Sequence, residues 1–332
     1  PKNIIVNAGY LDDKEKEFYK KLIFNGLGEF RYTNNIDLSY EEFCTITSTG
    51  KKYNIESNYN GKGNLVTIGG GKDSVVALNL VKDMDNLAFI LNPKAVTLEC
   101  SKIAWYENPF ISHRTIDPRL IELNKQWFLN WHTPFNALLA FLTYLIAYLW
   151  NKKYIVLSNE SSANESNVRW LKVNHQYSKS FEFENDFNEY TKKYFWIWIK
   201  YFSLLRPILE IQIAKLFSKF EQYHQIFKSC NVWSKSEPRK RCCNCPKCLF
   251  VFIMLSPFLS TEKLVEIFGE NLFEKESLLQ TFIDLTWNSD NKPFECVWTY
   301  DEVNYAIYLT VKKYNWELPY LLKYYVDNFE LK

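Results

Sequence analysis

VTIGGGKDSVVALNLVKD, residues 66–83, sets a β-branched apolar run against a helical pattern, with three glycines between them. Leu65–Ile68 reads as a short buried strand and Ser74–Lys82 as an amphipathic helix. A second buried run, LAFIL at 87–91, ends at Asn92-Pro93. Strand, loop, helix and strand in that order predict a parallel βαβ unit, and so an α/β fold. The apolar helix Asn136–Trp150, with Pro134 near its first turn, leads into YIVLSNE at 154–160 and repeats the pattern. Ligands of open α/β sheets gather beyond the carboxyl ends of the strands, so Gly69–Ser74, Asn92 and Ser158–Glu160 are expected along one edge.

A glycine-rich loop at a helix start presents backbone N–H donors and the positive end of the helix dipole, which favours an anion such as phosphate. The loop fails the Walker A pattern, because Asp73 rather than Ser or Thr follows Lys72, and it fails Gly-x-Gly-x-x-Gly, because Ser74 stands at the third glycine. Gly70-Gly71-Lys72-Asp73-Ser74 instead resembles the PP-loop of the ATP pyrophosphatase superfamily, usually Ser-Gly-Gly-x-Asp-Ser, with Gly69 where the first serine is common. That resemblance implies ATP cleaved between its α and β phosphates. The amides of Gly70, Gly71 and Asp73 and the Ser74 hydroxyl would cradle pyrophosphate, with Lys72 as a cation on it and Asp73 holding Mg2+.

The remaining composition sets the frame. The 332 residues are 47% hydrophobic and 17% aromatic, enough for one large core or two smaller ones. Forty basic and 38 acidic residues, well mixed, leave a net charge of +2 and no broad basic field, so no nucleic-acid partner is expected. The apolar runs 136–150 and 194–213 fall short of the ~20 clean apolar residues of a membrane span, and the second contains Lys200, Arg206 and Glu210. No membrane association is expected, and the N-terminal residues show no leader pattern, so the chain reads as cytoplasmic with reduced cysteines. Residues 1–60 read as a small α+β cap, with a helix at 12–24 and short alternating runs at 30–38 and 43–46. Residues 61–227 read as the nucleotide-binding domain, helical and aromatic past Phe187, and 228–332 as a cysteine cluster with a helical tail.

Cys242, Cys245 and Cys248 form Cys-x2-Cys-x2-Cys, and Cys230 lies a short loop upstream; together they suit a tetrahedral structural Zn2+. Cys243 breaks the spacing and reads as a bystander. Disulfides are disfavoured in a reducing compartment.

Seven runs, in order, narrow the function: GGGKDS, a His-x-Pro at 132–134, SNESSAN at 158–164, VNHQYSKS at 173–180, LRPILE at 205–210, CNCPKCLFVF at 243–252 and PFEC at 293–296. This set, its cysteine run beginning at Cys242 as Cys-x-x-Cys-Pro-Lys-Cys-x-Phe-Val-Phe, resembles the UDP-N-acetyl-α-D-muramoyl-L-alanyl-L-glutamate epimerase family over residues 66–298. The resemblance implies ATP-dependent inversion of the terminal glutamate through a carboxyl adenylate, with ATP, Mg2+ and the UDP-N-acetylmuramoyl dipeptide as partners. Ser158, Asn159 and Glu160 would join the ATP site; Asn164, Arg169, Lys179, Arg206 and Glu210 are candidates for the substrate, with Glu210 also able to orient Arg206 one helical turn away. Cys296, Glu295 and His175 are candidates for moving the α-proton. A competing enzyme reading keeps the loop and zinc but adenylates another carboxylate, as in 7-cyano-7-deazaguanine synthase; SNESSAN and VNHQYSKS argue against it. A sensing protein with a dead loop predicts loss of Lys72, Asp73 or Ser74, and all three are present.

Overall fold

A computed structural model describes residues 2–53, 58–130, 132–164, 174, 177–230, 241–286, 300–314 and 317–329. The first unit pairs β1 (Asn3–Val6) in parallel with β2 (Thr45–Ser48), and between them run α1 (Asp13–Gly26), α2 (Gly28–Thr33) and α3 (Tyr40–Phe43). α1 starts where it does because Asp12 and Glu15 form a reciprocal capping box, each carboxylate accepting from the other's backbone N–H at 2.9 Å. The alternating run expected at 30–38 is no strand: it holds the end of the short helix α2 and then a turn and irregular chain, since its polarity alternates too weakly over so few residues to impose a strand.

Five strands form the main sheet: β3 (Asn64–Thr67), β4 (Asn86–Leu91), β5 (Phe110–Ser112), β6 (Tyr154–Leu157) and β7 (Lys200–Ser203). All pair in parallel in the order β5-β4-β3-β6-β7. The order reverses between β3 and β6, the switch point at which open α/β sheets bind ligands. Side chains alternate between two cores. Val66, Ala88, Ile90 and Val156 face one, and Leu65, Phe89, Ile155, Leu157 and Tyr201 face the other. Burial on both sides explains why these strands read as continuous apolar runs.

The crossover helices are α4 (Lys72–Val81), α5 (Ala95–Ile103) and α7 (Phe135–Leu149), with the exposed α6 (Pro118–Lys125) between the last two. α8 (Phe181–Tyr194) and α9 (Glu210–Phe217) flank β7. The C-terminal part is helical: α10 (Pro246–Leu255), α11 (Thr261–Phe268), α12 (Leu279–Thr286), α13 (Tyr300–Val311) and α14 (Tyr320–Asn328). One face of the sheet carries α1, α7 and α8; the other carries α4, α5 and α9, and its core continues without a break into α10–α14.

The aromatic stretch past Phe187, expected to be helical, instead contains the edge strand β7. Its signal was a period of two: Trp196, Trp198 and Lys200 are exposed, whereas Ile199, Tyr201 and Ser203 are buried. Among the described residues no helix is long and apolar enough to cross a membrane.

Candidate active site

The glycine loop leaves β3 and enters α4 with Gly71 as N-cap, and among the described residues no side chain is seen to cap the first turn. Gly70 has φ +78°, in the left-handed region, and a Cβ there would lie 3.0 Å from Val96 Cγ2 on α5. Only glycine fits both constraints. Gly69 is different: a Cβ would meet only Ser74 Cβ, at 4.0 Å, so the serine common at this place in PP-loops is sterically allowed. The Ser74 hydroxyl accepts from the Gly69 N–H at 3.0 Å, which closes the loop on itself and leaves the hydroxyl proton to be donated.

A cavity of about 330 Å³ opens at this point. Gly69 lies on its wall with Asn92, Ser158, Asn159 and Lys179, so the ends of β3, β4 and β6 converge here, whereas Gly70–Ser74 and Glu160, expected along the same edge, are not on the wall. Sequence reasoning missed Lys94, Thr97 and Asn136, which line it too. Lys94 lies in the short link after β4 and Thr97 in the first turn of α5 that follows it, a position beyond a strand end that should have flagged them.

Lys72 is 1% exposed, and its ammonium donates to Glu210 Oε1 and Oε2 at 2.8 and 2.6 Å and to Asp73. Burial acts against the charged ammonium, but the carboxylates of Asp73 and Glu210 outweigh it and hold the Lys72 pKa above the ordinary lysine value. Burial pushes Glu210 upward; Lys72 opposes this, while Asp73 and Glu160 add to it.

Glu210 therefore does not orient Arg206, as its i,i+4 spacing suggested. Only Glu210 lies in α9; Arg206 precedes the helix, so the expected helical turn between them does not exist. Arg206 donates instead to the carbonyls of Glu160 (2.7 Å) and Lys179 (2.6 Å), to Glu184 Oε2 (3.2 Å) and to Ser203 Oγ (3.3 Å). It binds together the chain after β6, the turn before α8 and the end of β7. Glu184, which also accepts from the Ser203 N–H at 3.1 Å, is a further residue that sequence reasoning missed. Asn159 donates to Ser203 Oγ at 3.0 Å, and Ser162 to Glu160 Oε1 at 3.4 Å, so the run after β6 is held both to the end of β7 and within itself. Asn164 closes a 3-10 turn at Ser161–Asn164. Arg169, His175, Glu295 and Cys296 lie outside the described residues.

The sulfurs of Cys230, Cys242, Cys245 and Cys248 lie within 4.8 Å of one another. Cys230 is 3.2 Å from Cys242 and 3.7 Å from Cys245, and Cys242 is 3.7 Å from Cys248. Four thiolates around Zn2+ at about 2.3 Å have sulfur separations near 3.8 Å, so the set fits a tetrahedral divalent metal. Cys245 caps α10, with Pro246 at the first helical position and Cys248 one turn on, which explains the two-residue spacing. Cys243, at φ +50°, turns away and donates to the Phe268 carbonyl at 3.1 Å, the bystander expected. Arg241 braces the knuckle through the carbonyls of Ile267, His224 and Phe227.

Residues 1–204 match the family model of the MurL N-terminal domain, and residues 226–331 that of the MurL C-terminal domain. The chain is 30% identical, over 99% of its length and 74% of the relative's, to the UDP-N-acetyl-alpha-D-muramoyl-L-alanyl-L-glutamate epimerase of Xanthomonas oryzae pv. oryzae. It is 32% identical to proteins of the same name from a Micromonospora species, over 91% of this chain and 69% of that one, and from Salinispora tropica, over 88% and 65%. With both family domains matched in order along one chain, the protein belongs to the MurL epimerase family and is an enzyme of the isomerase class.

Proposed function

We propose that this enzyme inverts the terminal L-glutamate of UDP-N-acetylmuramoyl-L-Ala-L-Glu, the substrate in its relatives' names, and consumes ATP as a PP-loop enzyme of peptidoglycan precursor synthesis in the cytoplasm. The observation that supports the ATP-dependent part is the glycine N-cap of α4, reached by a loop that leaves β3 at the sheet's switch point with Gly69 on the cleft wall. The difficulty in the reaction is the α-carboxylate, whose charge opposes a carbanion on the next carbon. Attack of that carboxylate on the α-phosphorus of ATP forms an acyl adenylate and releases pyrophosphate. The acyl group is no longer an anion, the α-proton is more acidic, and reprotonation on the opposite face gives the D-configuration. Water then releases AMP.

The chain's residues divide this work. The amides of Gly70, Gly71 and Asp73 and the Ser74 hydroxyl receive the departing pyrophosphate, donors fixed in place before charge develops. Asp73, a hard oxygen donor with a side chain 28% exposed, suits Mg2+, which would neutralise phosphate charge. Lys179, on the cleft wall, offers a cation to substrate, and Arg206 holds the Lys179 backbone in place. The uridine diphosphate and sugar supply remote binding energy that orients the reacting end. Cys296, Glu295 and His175 remain the candidates for the proton transfer. The Cys230, Cys242, Cys245 and Cys248 set would hold structural Zn2+.

Incubation with ATP, Mg2+ and the UDP-linked L-Ala-L-Glu substrate, scored for AMP and for glutamate chirality after hydrolysis, tests the reading. AMP and D-glutamate should appear together. AMP alone would redirect the loop to another carboxylate, and D-glutamate without AMP would remove adenylation from the mechanism.

A further inference from the structure

The glycine loop and the cysteine knuckle are joined through backbone. The Lys228 N–H donates to the Gly70 carbonyl at 2.9 Å. Two residues on, Cys230 contributes its sulfur to the metal-ligand set. Between them, the Ser229 hydroxyl oxygen lies 3.3 Å from where a Gly71 Cβ would stand, so the segment 228–230 runs along the back of the loop. A second route reaches the same loop. Cys245 and Cys248 open α10, α10 packs on α9, and Glu210 at the start of α9 holds Lys72.

We propose that the Lys228 N–H is a positioning group that ties the anion loop to the metal knuckle, so that a metal held by the four cysteines sets the orientation of the Gly70–Gly71 peptide and with it the affinity for nucleotide. This rests on the reading of the loop as the ATP site. The physical reason is the peptide plane: a peptide's C=O and the following N–H point in opposite directions. Holding the Gly70 carbonyl toward Lys228 turns the Gly71 amide the other way. Both residues flanking that peptide are glycines, with no Cβ to keep it from flipping, so the orientation needs an outside partner. A metal bound to Cys230 fixes the chain two residues from that partner.

Two measurements on the full chain test the tie. In the first, amide hydrogen exchange is compared before and after metal removal by chelation and after restoration with Zn2+, without nucleotide. Exchange at residues 69–74 should rise reversibly while α1, in the first unit, is unchanged; equal exchange of the loop in both states overturns the proposal. In the second, Lys228→Pro removes the donor but no cysteine. It should retain one metal per chain yet bind ATP about tenfold more weakly by calorimetry, the effect of one hydrogen bond. Wild-type affinity in this variant overturns the proposal. Failure of the metal-loaded wild type to bind ATP would sink the nucleotide reading of the loop instead, and the exchange comparison distinguishes the two.

Discussion

Lys72 Nζ sits 2.6 Å from Glu210 Oε2, across 138 residues of sequence, with both side chains almost fully withdrawn from solvent. The pair fixes the first turn of α4 against the first turn of α9 immediately behind the glycine loop. Glu210→Ala leaves a buried ammonium facing Asp73 alone, and breaking a buried pair from one side costs about 3–5 kcal/mol. The lower end is expected here, because Asp73 remains as a partner. A denaturant melt should show the loss, and the double variant Lys72→Met/Glu210→Leu should recover most of it while forming no AMP.

Gly70→Ala tests the loop's backbone. The left-handed conformation costs a non-glycine residue about 1–2 kcal/mol, and contact with Val96 adds to this. Gly69→Ser, where a Cβ meets only Ser74, should keep wild-type stability. Thermal melts of the two variants should therefore separate clearly, in that order.

Asp73→Asn keeps the size of the side chain and one acceptor oxygen but removes the charge proposed to hold Mg2+. AMP formation should fall by on the order of 10²-fold or more. Retained turnover at saturating Mg2+ would take Asp73 off the catalytic list.

His224 is fully buried beside Phe217, its Nε2 3.3 Å from the Phe217 carbonyl and its Nδ1 without a partner among the described residues. Burial lowers its pKa; the Phe217 carbonyl opposes this, Lys263 adds to the lowering, and Glu221 and Glu266 also oppose it. The unfolded chain takes up the proton near pH 6.5, before the folded one does. The contribution to stability is thus complete above pH 6.5 and lost as pH falls toward the lowered folded value. His224→Phe should flatten this part of the acid limb in denaturation midpoints measured between pH 7 and 5.

Cys245→Ser should abolish stoichiometric metal, measured by elemental analysis, and unsettle α10. Cys243→Ser should retain the metal, because its sulfur faces Phe268. Loss of metal from both variants would contradict the four-cysteine assignment.

Much of this molecule is legible in short windows of sequence. The βαβ unit at 64–91 declares itself because strand burial, glycine conformational freedom and helix periodicity are each encoded within a few residues. The three cysteines at 242–248 are equally local, since one turn at a helix start brings their sulfurs together. β7 was hidden because its aromatic alternation resembles any buried apolar stretch until the exposed faces of Trp196 and Trp198 are seen.

What no window contains is the choice of partner across the fold. LRPILE puts Glu210 four residues from Arg206, and local spacing pairs them; the turn before α9 separates them, and packing of α9 on α4 delivers Glu210 to Lys72 instead. The Gly70 carbonyl likewise meets the Lys228 N–H only because a single core runs from the sheet into α10–α14. Periodicity and turn chemistry are properties of neighbouring residues, so the elements and the metal spacing follow from the chain directly. The wiring behind the loop follows from burial, which draws distant charges and unpaired backbone groups to whichever complement the packed helices bring within reach.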